Sequence, residues 1–104
     1  MRIKQTTGTK GSLMWIQRLA AHHSGLFETE LRAKGVLASG RTLTWLSPRA
    51  NDEWAEYRDA AFLDRIGCPS LAGKLAVFWP SRGPQWDGLA RDSSGQIFII
   101  EAKA

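Results

Sequence analysis

A chain of 104 residues, 43% apolar and 23% charged, has room for one domain around one core, and this composition excludes disordered and collagen-like classes. Lysine and arginine exceed aspartate and glutamate by 14 to 10, and the resulting net charge of +4 favours polyanionic partners. One cysteine, Cys68, excludes an internal disulfide and a cysteine-built zinc site, and no run approaches the roughly 18 apolar residues of a membrane span.

The opening, MRIKQTTGTKGS, has no apolar segment of the kind that directs secretion, so a soluble cytoplasmic protein without membrane contact is expected. Residues 1–11 read as a flexible arm whose Arg2, Lys4 and Lys10 could touch phosphates. Residues 12–104 read as a single domain. Within it, a helical part spans 12–46 and a partial core spans 47–104.

Helical spacing begins at Ser12, which stands as an N-cap, with Leu13, Ile16, Leu19 and Ala20 on one face; the pattern predicts a helix over 12–23. His22 and His23 close it, where the helix dipole favours imidazolium. Neighbouring residues diverge by about 100° on a helix, which makes them a poor metal pair. Ser24-Gly25 interrupts the pattern, and LFETELRAK predicts a second helix ended by Gly35. RTLTWLSP alternates briefly, giving a short strand at 42–46. Ser47-Pro48 looks like a helix start, and a long helix over 49–66 is expected, ended by Gly67 and the Cys68-Pro69 turn, with apolar residues on two sides. The run LAGKLAVFW at 71–79 is ambiguous between strand and helix. Core packing is the expected use of the five tryptophans, although indoles also stack on unpaired bases.

The last segment carries the chemistry. Strand-like runs at 86–91 and 96–103 flank Asp92-Ser93-Ser94-Gly95, the composition of a hairpin turn. If residues 93–95 form a three-residue loop with Gly95 left-handed, 91 pairs with 97, 89 with 99 and 87 with 101. Asp87 and Glu101 then stand about 5 Å apart. A two- or four-residue loop would put Asp87 on the wrong face. The second strand, apolar on both faces, is expected to be buried on both sides, with Glu101 and Lys103 emerging at its rim. Two carboxylates at that separation repel by roughly 3 kcal/mol at an effective dielectric near 20. Either a salt bridge from Lys103 or a shared divalent cation would compensate.

Asp87 followed by Glu101-Ala102-Lys103, with Pro84 shortly before, resembles the PD-(D/E)xK nuclease superfamily, whose signature is an aspartate and a D/E-x-K triplet on adjacent hairpin strands. The wider run AEYRDAAFLDRIG to IFIIEAKA is similar to an uncharacterised nuclease-like family over about half the chain. The proline stands three residues before the aspartate and not next to it. The resemblance implies an α/β (α+β) fold with a restriction-endonuclease-like core: N-terminal helices followed by a small mixed or antiparallel sheet. The superfamily's helix and strand after the triplet have no counterpart in this sequence, so either it is a fragment or its uncovered sheet invites a partner, a homo-oligomer among the options. By the same resemblance, Asp87 and Glu101 bind Mg²⁺ or Mn²⁺, Lys103 positions the attacking water, and Glu56, with Asp59 as rival, adds a carboxylate from a preceding helix. The implied activity is metal-dependent hydrolysis of DNA or RNA phosphodiesters. Arg82 and Arg91 are candidate phosphate contacts, and a non-catalytic nucleic-acid-binding or interaction module on the same scaffold is the alternative.

Overall fold

Apolar residues three and four apart fold the N-terminal third into a helical hairpin, α1 at Gly11–His22 and α2 at Ser24–Ala33. The computed structural model describes residues 1–79 and 83–103. Lys10, and not Ser12, is the N-cap of α1, and its side chain makes no capping bond. α2 ends as anticipated: Gly35 has φ +74, its N–H reaches the Arg32 carbonyl at 3.1 Å, and the Val36 N–H reaches Leu31 at 2.8 Å. This double closure needs a left-handed residue, which glycine supplies without a Cβ clash.

A three-stranded antiparallel sheet, ordered β2-β4-β5, forms from β2 at Leu43–Ser47, β4 at Gly88–Asp92 and β5 at Ile97–Ile100. β4 pairs with β5 in the register of the three-residue loop: Arg91 opposite Ile97, Leu89 opposite Ile99, Gly88 opposite Ile100. Gly95 sits at φ +94, and the Asp92 carboxylate accepts the Ser94 and Gln96 N–H groups at 2.8 and 2.9 Å, which fixes the turn. One sheet face presents Trp45, Ala90 and Phe98 to Ile16 of α1 and to Leu37. The other presents Leu89, fully buried, to Ala55, Tyr57, Phe62 and Leu63. Period-two alternation on β4 therefore serves two cores at once.

The expected long helix over 49–66 does not form. Its span breaks into a 3₁₀ turn at Ala50–Asp52, a two-residue strand β3 at Glu56–Tyr57, and a helix α3 at Asp59–Arg65. Glu53, Trp54 and Asp59 take φ values of +56, +52 and +54, conformations that the interior of a right-handed helix does not admit. Nor is the opening segment loose. Arg2–Ile3 form β1, paired antiparallel with β3, and Gln17 anchors residues 6–8 by accepting the Gly8 N–H at 2.7 Å and donating to the Thr6 carbonyl at 2.9 Å.

The ambiguous run is helical, α4 at Ala72–Phe78, preceded by a 3₁₀ turn at Pro69–Leu71. β5 is shorter than expected, and Ile99 is 47% exposed. It lies at the sheet edge, so only the Phe98 side is covered, in place of burial on both faces. The described residues thus form an α+β fold with four helices and two small antiparallel sheets.

Candidate metal centre

An isolated antiparallel bridge between Tyr57 and Trp86 joins the β1-β3 ribbon to the chain entering β4. Antiparallel counting from that bridge puts Glu56 beside Asp87. Counting one step beyond the Gly88–Ile100 pair puts Asp87 beside Glu101. By register alone, the positions of Glu56, Asp87 and Glu101 fall in one row, although the pairing itself ends at Gly88–Ile100 and Glu56 comes from a strand and not from a helix.

Their surroundings differ. Glu56 is 6% exposed, and its Oε1 accepts Gln85 Nε2 at 2.6 Å and Gln5 Nε2 at 3.5 Å. Burial pushes its carboxyl above the ordinary value; the Gln85 bond opposes this, and the Asp87 charge adds to it. Asp87 Oδ2 accepts the Ala102 N–H at 2.8 Å, a bond that ties the start of β4 to the chain leaving β5. Among the described residues, no lysine, arginine or histidine forms an ion pair with either carboxylate. Glu56 Oε2 and Asp87 Oδ1 accept no hydrogen bond from them.

Glu101 and Lys103 lie at the solvent-facing end. Their side chains are 67% and 83% exposed, with Lys103 Nζ 4.0 Å from Glu101 Oε2. This is the edge salt bridge that the spacing allowed, in its weakest form. Asp59 opens α3, where its Oδ1 accepts the Gly83 N–H at 2.9 Å, so its established contact is with the segment before β4. Arg91 is half-buried, with its Nε unpartnered among the described residues; Arg82 lies outside them.

Among the described residues, no three His, Cys, Asp or Glu groups gather closely enough to hold a metal ion. Mg²⁺ and Mn²⁺ do not require three. One or two carboxylates suffice, with water completing the shell. A buried carboxylate beside a second one, each with one oxygen bonded and one left over, is hard-oxygen donor chemistry that fits such an ion. The fit centres on Glu56 and Asp87; Glu101 extends the row.

Sequence reasoning missed Gln85 and Gln5, the amides that hold Glu56, and Arg58, whose Nη2 donates to Gln85 Oε1 at 3.1 Å. Gln85 stands two residues before Asp87 and so projects to the same side of an extended chain, a local signal that could have found it. Gln5 arrives from the pinned opening segment, which only the long-range pairing of β1 with β3 brings near. No family model, curated protein or solved structure matches the chain. No helix among the described residues is long and apolar enough to cross a membrane.

Proposed function

We propose that this chain is a metal-dependent phosphodiesterase acting on nucleic acid, a PD-(D/E)xK-type hydrolase on a partial restriction-endonuclease-like core, working in the cytoplasm. The observation that carries the reading is the meeting of Glu56 and Asp87 across the Tyr57–Trp86 bridge, with burial and no cationic partner among the described residues. Side-by-side carboxylates are costly unless something uses their charge. A divalent cation, Mg²⁺ or Mn²⁺, supplies Lewis-acid polarisation of a phosphoryl oxygen when bound there.

Glu56 and Asp87 hold the ion. Gln85 and Gln5 fix the Glu56 carboxylate by occupying Oε1, which leaves Oε2 as the donor. The Ala102 N–H fixes Asp87 in the same way, leaving Oδ1. Glu101, next in register, would act on the ion from outside its first shell, through a bound water. Lys103, on a long exposed stem, is free to swing from Glu101 toward an incoming phosphate and offset its developing charge.

The exposed edge of β5, with Ile99 uncovered, favours a second reading as an interaction module that pairs with another copy through that edge. Cleavage assays on single- and double-stranded DNA and RNA with Mg²⁺ or Mn²⁺ test the first reading. Cleavage that needs the metal and falls at least about 100-fold in Glu56→Gln and Asp87→Asn is the expected result. Mn²⁺ should also broaden the NMR signals of both residues in the native chain. Metal-independent or absent cleavage, together with no Mn²⁺ effect at residues 56 and 87, would leave the interaction module.

A further inference from the structure

Two grooves flank Trp54 and hold residues that the proposed hydrolysis leaves unused. One, of about 400 Å³, is lined by Thr7, Met14, Arg18, His22, His23 and Trp54. A second, of about 500 Å³, shares Trp54 as a wall and adds Arg49 and Asn51. Neither is lined by an aspartate or a glutamate. An indole thus stands between two clefts whose ionisable lining side chains, among the described residues, are arginine and histidine.

The backbone places the indole there deliberately. Glu53 and Trp54 are consecutive non-glycine residues at φ +56 and +52, a conformation that bulky side chains avoid. The turn is held from all sides. The Arg49 carbonyl accepts the Trp54 N–H at 3.0 Å, the Asp52 carbonyl accepts the Ala55 N–H at 3.0 Å, and the Glu53 carbonyl accepts the Gln5 N–H at 3.1 Å. Arg2 clamps the Asp52 and Glu53 carboxylates. The neighbouring Ala55 is fully buried, whereas Trp54 remains partly open. Core packing alone would not need this geometry, since a right-handed turn can bury an indole without strain.

We infer that Trp54 is a stacking platform for an unpaired nucleobase, and that Arg18, His22, His23 and Arg49 receive the flanking phosphates of a single strand. Indoles stack on any base face, and the surrounding donors supply charge complementarity to a polyanion. A duplex keeps its base faces covered, so the platform selects an unpaired strand. Trp54 lies two residues before Glu56, at most about 7 Å away along the chain, which keeps the stacking surface within one nucleotide's reach of the β3 segment. The inference rests on the nucleic-acid reading above and deepens it, naming the strand type and the surface; binding itself needs no cleavage.

The test is fluorescence anisotropy without divalent metal, using labelled DNA and RNA single strands of about a dozen nucleotides and the matching DNA duplex. The native chain should prefer a single strand to the duplex, and the two single-strand arms show which sugar it favours. Trp54→Asn keeps a residue that tolerates the left-handed backbone but removes the platform, and should weaken single-strand binding about 10- to 100-fold. Trp54→Phe should stay within about threefold of the native chain, because a phenyl ring still stacks. Arg18→Gln should weaken binding and make the log–log salt dependence shallower by about 0.7.

Preference for duplex, no binding by the native chain, or unchanged binding by folded Trp54→Asn overturns the inference. If Trp54→Asn does not fold, the double variant Arg18→Gln/His22→Gln on the exposed face of α1 decides in the same way. Binding lost in Trp54→Asn, with no cleavage by the native chain, leaves this inference standing and sinks the hydrolase. Cleavage lost in Glu56→Gln, with binding unchanged in Trp54→Asn, does the reverse.

Discussion

Asp52 and Glu56 lie four residues apart, both mostly removed from water, and the fold treats them in opposite ways. Asp52 is surrounded by compensation: Arg2 Nη2 at 2.9 Å, Arg65 Nη2 at 3.5 Å and the Tyr57 hydroxyl. Burial works against its charge, but the Tyr57 and Arg2 bonds outweigh burial and hold its carboxyl below the ordinary value. Glu56 has two neutral amides for partners and a second carboxylate for a neighbour, and its carboxyl is pushed up. The first acid is a structural clamp joining β1, the 3₁₀ turn and α3. The second carries charge that the described residues do not neutralise, and that contrast separates a scaffold carboxylate from a candidate ligand.

The largest effect should come from the clamp. Asp52→Asn removes the charge and one of the two acceptor oxygens that serve Arg2, Arg65 and Tyr57, and should cost about 1–3 kcal/mol in urea unfolding. Because the folded Asp52 carboxyl is depressed, its contribution is present above the unfolded value near 3.8 and is lost as pH falls through the lower folded value. Native stability should therefore drop in strong acid, and Asp52→Asn should flatten that drop.

Glu56→Gln should break the symmetry between the two acids. A raised folded value means that the Glu56 contribution is fully present below the unfolded value near 4.5 and is lost as pH rises through the folded value. At neutral pH the variant should match or exceed the native stability, while Mn²⁺ binding disappears. A loss as large as that of Asp52→Asn would show that Glu56 is a clamp too, and the comparison would fail.

A smaller effect is expected at Gln85, which donates to Glu56 and accepts from Arg58. Gln85→Leu should cost about 0.5–1.5 kcal/mol in thermal or urea unfolding and weaken Mn²⁺ binding without abolishing it. The smallest belongs to the exposed pair: Lys103→Ala should move stability by less than about 0.5 kcal/mol, since its contact with Glu101 is long and solvated. If cleavage nevertheless falls in Lys103→Ala, the lysine acts on substrate and not on the fold.

Legibility followed locality. The β4-β5 register was readable as one of a few loop-length alternatives, and the left-handed Gly95 selects the three-residue loop among them. The end of α2 was readable for a similar reason at Gly35. The span 49–66 misled because Ala55, Phe62, Leu63 and Ile66 recur at helical spacing, while the three left-handed residues among them carry no periodic signal. Their conformation is set by partners far along the chain: Arg2 and Gln5 on one side, Trp86 on the other.

Sequence by itself determined the helical hairpin, the final β-hairpin with its register narrowed to a choice of loop lengths, and the presence of Asp87, Glu101 and Lys103 around its open end. Those features depend on spacing and turn chemistry within a dozen or so residues. Only the tertiary structure decided that Glu56 is a strand residue beside Asp87, that Gln5 and Gln85 hold it, and that Trp54 stands between two basic grooves. Each depends on pairing between segments far apart in the chain, where the gain comes from burying and hydrogen-bonding both partners together and neither partner's local pattern records it.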